Sequence, residues 1–260
     1  VEAAMSAHDS AERIWTAALL VIGDEILSGR TQDRNIAQLG KWLNLQGIRL
    51  REVRVVADDA AQIGQAVIAL AASHDYLFST GGIGPTHDDI TVDAIAAALG
   101  RKVVVHPRAR QMLEDYYGTP EAVTEARLRM ARVPEGADLI ENRVSGAPGI
   151  RVDNIFIMAG VPAIAGLMME ALSGTLQGGA PLISRTIGAW VAESEVAELL
   201  HRVEKASRNS QIGSYPFFRE GRVGANFVIR STDADDIEAV AASLTEALRA
   251  LGVETTQGGI

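Results

Sequence analysis

The stretch "FSTGGIGPTHDDIT", Phe78 to Thr91, packs three glycines, a proline, a histidine and two adjacent aspartates into one loop. Before it lies the short apolar run Tyr76–Thr80, and after it a helix-like run, Thr91–Leu99, closed by Gly100 in the position that favours a left-handed residue. A buried strand, a glycine loop and a helix in that order form one half of a βαβ unit. In open parallel sheets, ligands bind at loops of this kind, outside the carboxyl ends of the strands.

Working outward, the same alternation continues. "TAALLVIG" (Thr16–Gly23) is a continuous apolar run, as for a strand buried on both faces. The spacing of Ile36, Leu39 and Leu43 predicts a helix from about Asp33 to Gln46. "IRLREVRVV" reads as a strand with imperfect alternation of Ile48, Leu50, Val53 and Val55, and Ala60–Ala72 carries Ile63, Val67 and Leu70 at helical spacing. "KVVVH" is a further strand, followed by helical stretches at Arg108–Tyr117 and Pro120–Arg132. The first half is therefore an α/β unit whose mainly parallel sheet is covered on both faces.

"GIRVDNIFIMAGVP" is strand material ending in a turn, and Ala163–Leu172 a helix. Gly, Ser and Pro concentrate in "SGTLQGGAP", Ser173–Pro181, which reads as a linker. Beyond it a β-α-β-β-α order predicts a small α+β domain with helices on one face of an antiparallel sheet. The expected organisation is a disordered leader (1–13), a core domain (14–180) and the small domain (181–260).

Composition narrows the partners. With 47% hydrophobic and 22% charged residues the chain is of ordinary globular type, and a formal net charge of −9 argues against a nucleic-acid partner. It contains no cysteine, which excludes disulfides and thiolate metal sites. No apolar run reaches the roughly 20 residues of a membrane span. The polar start "VEAAMSAHDSAER" lacks the basic-then-apolar order of a secretory signal, so a cytoplasmic location is expected.

Two polar, glycine-bearing loops follow predicted strands: "GDEILSGRTQDRN" (Gly23–Asn35) and the Phe78–Thr91 stretch. If both strands are central and parallel, Asp24, Glu25, Asp88 and Asp89 share one edge of the sheet. The second loop is neither a Walker A sequence nor a G-x-G-x-x-G fingerprint. Successive backbone N–H groups in a glycine turn before a helix still make an anion site. The aspartates would repel that anion unless a divalent cation lay between them, and carboxylate oxygens are hard ligands suited to Mg²⁺. The competing reading is that Asp89 merely caps the helix. His87 reads as a loop residue or substrate contact, and Leu167, Met168, Met169 and Leu172 as core.

"GDEILSG" with Asn35, "TGGIGPTHDDIT", "VPEGADLIENRVSGAPG" and "AGVP" resemble, in that order, the motifs of the molybdopterin-binding fold, which includes MogA, MoaB, domains of MoeA and gephyrin, and the N-terminal domain of CinA. The tail, "IGSYPFF" and "FVIRSTD", is similar to the molybdopterin-binding-like part of FAD synthase. The resemblance implies a three-layer α/β/α sandwich with a mainly parallel, MogA/MoaB-like sheet, plus the small C-terminal α+β domain. It implies catalytic roles for Asp89 and Asp58; together with the loop reading above, Asp24 becomes a further catalytic candidate, and Asp24, Glu25 and Asp89 would place a divalent metal (Mg, Mn or Co). Ligand or phosphate binding falls to Gly23, Ser28, Gly29 and Asn35 of the first motif, and to Gly81, Gly82, Ile83, Gly84, Pro85 and Thr86 of the second. The third and fourth motifs add Gly146, Ala147, Pro148 and Gly149, then Gly160, Val161 and Pro162.

The activity this implies is metal-dependent pyrophosphate hydrolysis of ADP-ribose, FAD or a related dinucleotide. The alternatives are molybdopterin binding or adenylylation in molybdenum-cofactor assembly, and a nucleotide- or pterin-binding module without turnover. The expected partner is a small nucleotide or pterin phosphate, with no membrane and with self-association into a dimer or trimer. Ala159 stands where relatives commonly carry proline. No CinA-type deamidase domain is present in this sequence, so nicotinamide-nucleotide deamidation is not expected.

Overall fold

The computed structural model describes residues 13–142, 144–219 and 221–260. The expected leader lies outside the described residues except for Arg13, which is engaged: it pairs with Asp75 and stacks over the Trp15 ring at 4.0 Å. The chain divides into two compact units, one running to Gly179 and one from Ala180 to Ile260. Among the described residues no helix is long and apolar enough to cross a membrane.

The first unit runs β1 (Trp15–Ile22), α1 (Asp24–Leu27), α2 (Asn35–Leu45), β2 (Ile48–Val56), α3 (Ala60–Ser73), β3 (Tyr76–Thr80) and α4 (Thr91–Ala98). It continues with β4 (Val103–Val105), α5 (Pro107–Tyr117), α6 (Glu125–Leu128), β5 (Arg132–Pro134), β6 (Asp138–Ile140), β7 (Gly149–Val152), β8 (Ile155–Met158) and α7 (Pro162–Ala171). Its main sheet has the order β2-β1-β3-β8-β7-β6. The pairs β2–β1, β1–β3 and β3–β8 are parallel, while β8–β7 and β7–β6 are antiparallel.

The central strands separate two cores, because successive side chains point to opposite faces. Ala18, Leu20, Ile22 and Leu77 pack with Ile63, Val67 and Leu70 of α3 and Ile95 of α4. Ala17, Leu19, Val21 and Phe78 pack on the other face with Leu39 and Leu43 of α2 and Met168 and Met169 of α7. Helices thus cover both faces, giving the three layers.

The imperfect alternation of β2 has a structural cause. Ala17 of β1 faces Leu50, but Ala18 faces Glu52, so Arg51 is an extra residue bulged out of register. One inserted residue reverses the parity of every later side chain. Ile48 and Leu50 therefore share a face with Val53 and Val55 despite even and odd numbering.

Two expectations need correction. The stretch Pro120–Arg132 is not one helix: it breaks into a 3₁₀ turn (Pro120–Ala122), α6 and a second 3₁₀ turn (Arg129–Ala131). The hydroxyl groups of Thr119 and Thr124 each accept a backbone N–H three residues on, restarting the chain twice where propensity alone favours continuity. Ser173–Pro181 is not a loose linker up to the unit boundary. Gly174 N–H donates to Gln46 Oε1 at 3.1 Å and Gly179 N–H to the Gly47 carbonyl at 3.1 Å. Between them, Tyr76 Oη donates to the Gln177 carbonyl at 2.9 Å and accepts its N–H at 3.0 Å.

The second unit contains β9 (Ile183–Ala189), α8 (Glu193–Ala206), β10 (Gln211–Arg219), β11 (Arg222–Ser231), α9 (Ala234–Ala250) and β12 (Thr255–Gln257). Its four-stranded sheet, β10-β11-β9-β12, is antiparallel and packs with both helices into one core around Phe227 and Leu244. The last strand, β12, is not marked in the sequence, because "TTQ" is short and wholly polar.

Candidate functional site

Parallel pairing of β1, β2 and β3 brings their carboxyl ends side by side. The chain leaves β3 through Gly81 and Gly82, both in the left-handed region at φ 104° and 65°. A Cβ on Gly81 would lie 2.1 Å from the Ile22 carbonyl oxygen, and one on Gly82 would lie 2.1 Å from Thr91 Oγ1. Both positions therefore require glycine for conformation and for space. Buried Thr91 fixes the far side of the loop: its Oγ1 donates to the Gly81 carbonyl at 2.9 Å and its N–H to the Gly82 carbonyl at 3.1 Å.

The N–H groups of the loop divide into two sets. Gly81 N–H is committed to the Met158 carbonyl at 3.2 Å, and Thr86 N–H to Asp89 Oδ2 at 2.8 Å. Those of Gly82, Ile83 and Gly84 have no hydrogen-bond partner among the described residues. The anion-binding capacity is thus centred on Gly82–Gly84. Gly81 and Thr86 hold the shape, and Pro85 has no N–H to give.

Asp89 is not a helix cap. The residue at the cap position of α4 is Ile90, and no side chain caps the helix. Asp89 Oδ2 instead accepts both the N–H and the hydroxyl of Thr86, closing the loop on itself and resting against Gly84. Neighbouring Asp88 is exposed.

The other acidic pair lies on the adjoining strand ends. The motif "DEIL" forms the one-turn helix α1 directly after Gly23, whose N–H donates to the Val56 carbonyl at 3.1 Å. Asp24 N–H donates to Asp58 Oδ2 at 3.0 Å, and Asp58 N–H donates to Asp24 Oδ1 at 3.4 Å. Each carboxylate thus holds the other's backbone, and two negative charges are kept close at an exposed edge. Glu25 folds back over Gly23.

Asp24, Glu25 and Asp89 do not assemble as the three-carboxylate metal set expected from the sequence. Among the described residues no group of three or more His, Asp or Glu side chains could hold a metal ion. Asp89 is turned inward by Thr86, which leaves Asp24 and Asp58 as the paired hard oxygen donors. Two carboxylates fit a cation such as Mg²⁺, which takes few protein ligands and completes its shell with water and phosphate oxygens.

The remaining predicted residues separate by role. Asn35 is buried at the start of α2 and its Nδ2 donates to the Gly160 carbonyl at 2.8 Å. Gly160 lies over Gly81: a Cβ on it would be 3.2 Å from Gly81 Cα. Val161 and Pro162 start α7, and Ser28 and Gly29 end α1 on the exposed surface. Gly146 packs under the Tyr116 ring at one wall of a cavity of about 600 Å³ that Arg108 and Asn142 also line. Buried Asn142 ties down this loop through the Ala147 carbonyl at 2.8 Å, with Pro148 leading into β7. Gly149 is a packing residue, its Cα facing Met168 and Ile157.

The sequence reading missed Arg129. From the second 3₁₀ turn its Nη2 donates to the Asp89 carbonyl at 3.2 Å, bringing a cation to an otherwise acidic loop. Nothing local singles it out among the three arginines of "ARLRMAR", in a stretch whose pattern predicts one helix.

The sequence model of the family described as "Probable molybdopterin binding domain" matches residues 18–178, which include every loop above. The chain belongs to the molybdopterin-binding domain family. Its second unit matches the family described as "FAD synthase, middle domain" over residues 181–257. A protein of Aeropyrum pernix is 33% identical over 95% of this chain and 96% of its own length. A "Probable FAD synthase" of Caenorhabditis elegans is 30% identical over 90% of this chain, and this molybdopterin-binding family member spans 50% of that relative's length. The crystal structure described as "the protein CinA with unknown function from Thermoplasma acidophilum" superposes with a TM-score of 0.59 at 34% identity, covering 62% of this chain and 98% of that one. The first unit therefore shares its α/β fold with that CinA structure, and the family member carries an additional antiparallel domain.

Proposed function

We propose that this protein hydrolyses the pyrophosphate bond of a dinucleotide-type substrate, such as ADP-ribose or FAD, with a divalent cation. The observation that carries the reading is the juxtaposition of the free N–H groups of Gly82–Gly84 with the Asp24–Asp58 pair. Gly81 packs on the Ile22 carbonyl, only two residues before Asp24. An N–H cradle alone would bind any anion; a close carboxylate pair beside it favours a phosphate that arrives with a cation.

In this reading the Gly82–Gly84 amides hold one phosphate while Thr86 and Asp89 keep the loop closed around it. Arg129 offsets negative charge at the base of the loop. Asp24 and Asp58 would hold the cation, which when bound polarises a phosphoryl oxygen and lowers the pKa of water. Hydrolysis adds water across the P–O–P bridge: hydroxide joins one phosphorus and a proton goes to the departing phosphate. The similarity of the second unit to the FAD synthase middle domain supports a flavin or other dinucleotide as substrate.

The family description supports a second reading, molybdopterin binding, with adenylylation as the reaction in which the same loop would hold a nucleotide phosphate. The test is incubation with ADP-ribose, FAD, NAD and ATP, each with Mg²⁺, Mn²⁺ or Co²⁺ and with chelator. Metal-dependent release of nucleoside monophosphate is expected. Formation of adenylylated molybdopterin from ATP and the pterin would replace hydrolysis by the second reading, and binding without product would make the protein a module without turnover.

A further inference from the structure

Beside the phosphate loop lie two buried oxygen atoms without a hydrogen-bond partner among the described residues. Asn35 is 3% exposed and Thr80 is 1% exposed, and neither Asn35 Oδ1 nor Thr80 Oγ1 has a hydrogen-bond partner among the described residues. They belong to one face of the sheet. Asn35 precedes Leu39 and Leu43 at intervals of four on α2, and Thr80 follows Phe78 by two on β3; those three apolar residues share a core. Both also border the Gly81–Gly160 contact. Thr80 immediately precedes Gly81, and Asn35 Nδ2 holds the Gly160 carbonyl.

That bond fixes the orientation of the amide, because only the NH₂ end can donate to a carbonyl. Asn35 therefore presents a pure acceptor. A phosphate, itself an acceptor at neutral pH, cannot satisfy it; the ligand group must carry an O–H or N–H. Its closeness to the phosphate loop selects the group next to a phosphate in a nucleotide, which is the sugar rather than the base. We propose that Asn35 and Thr80 form a subsite for the sugar hydroxyls of a nucleotide whose phosphate sits on Gly82–Gly84. The subsite rests on the phosphate-binding reading given above and adds the chemistry of the neighbouring group.

The test uses α,β-methylene-ADP, whose carbon bridge resists hydrolysis, its 2′,3′-dideoxy counterpart, and inorganic pyrophosphate, each titrated calorimetrically with Mg²⁺. Wild type should bind the diol about 10-fold more tightly than the dideoxy compound, the worth of a hydrogen bond to a buried acceptor. Thr80→Val removes only an unpartnered hydroxyl, so the thermal midpoint should hold. The variant should lose most of the preference for the diol while keeping its affinity for pyrophosphate, and Thr80→Ser should restore the preference. Equal binding of diol and dideoxy compounds by wild type overturns the subsite and leaves the phosphate loop standing, as does a Thr80→Val loss that is equal for both. Failure of wild type to bind any of the three, pyrophosphate included, removes the phosphate reading itself and the subsite with it.

Discussion

At Asp89 the decisive comparison is between a carboxylate that shapes a loop and one that takes part in chemistry. Its Oδ2 is occupied by Thr86, so a purely structural Asp89 would tolerate asparagine, whose one carbonyl oxygen can still accept the Thr86 N–H. Asp89→Asn should leave the thermal midpoint within a few degrees of wild type. With Asp89 outside the Asp24–Asp58 pair, Asp89→Asn should lower metal-dependent turnover no more than a few-fold, whereas a loss of ~100-fold or more would mean that its negative charge is used in the transition state. Parallel melting curves and turnover assays decide it, and equal turnover would make Asp89 a loop clamp alone, moving attention to Asp24 and Asp58. Gly82 poses the opposite problem. Blocking the loop with Gly82→Val looks from sequence like a clean test of binding, but the left-handed φ and the 2.1 Å approach of Thr91 Oγ1 mean that any side chain strains the fold. Gly82→Ala should cost about 1–3 kcal/mol in denaturant unfolding. A fully stable variant would show that the loop has another conformation available.

Strand ends supply the next level of control. Asp75, just before β3, accepts the N–H of Thr16 at 2.8 Å and its hydroxyl at 2.9 Å, and pairs with Arg13. Burial alone would raise its carboxyl pKa, but the Thr16 backbone and hydroxyl bonds and the Arg13 charge outweigh burial and hold it below the ordinary value. A depressed folded-state pKa stabilises the protein above the unfolded value of about 4 and loses that contribution as pH falls through the folded pKa. Asp75→Asn should therefore cost about 1–2 kcal/mol at pH 7, and the gap should close below about pH 4, as read from urea unfolding across pH. A gap that does not change with pH would assign the loss to packing. The strands joined here were legible in the sequence because buried parallel strands are continuous apolar runs, as in Leu19–Ile22 and Leu77–Phe78. In β2 the pattern was legible but its parity was not, since nothing local marks Arg51 as the bulged residue. Of the site, the glycine loop and the Asp24 loop could be read because each follows such a run. Arg129 could not: it reaches Asp89 across 40 residues of sequence, a contact that no periodicity encodes.

Across the whole chain, two families meet near residue 180, where the two compact units also part. Glycine content alone suggests a linker, yet composition says nothing about where a segment's backbone groups are bonded. Here Gly174, Gln177 and Gly179 are all tied to the first unit, and Leu176 packs against its core. Proteolysis requires several residues to leave the surface together, so these bonds must open before cutting. Gln177 is held at both its N–H and its carbonyl by one phenol, which makes Tyr76 the test position. Tyr76→Phe keeps the ring beside Trp15, where the two stack with centroids 6.0 Å apart, and removes only the hydroxyl. Loss of two partly exposed neutral hydrogen bonds should cost about 1–2 kcal/mol. Because the bonds anchor the segment, much of that cost should appear as easier local opening, with cleavage between Ser173 and Gly179 accelerating several-fold relative to wild type. Mass spectrometry of timed protease digests locates the cuts, and thermal melts report global stability. Cleavage of wild type within this segment at the rate of an unstructured peptide would mean that the segment is free in solution and that the docking described here does not govern its exposure.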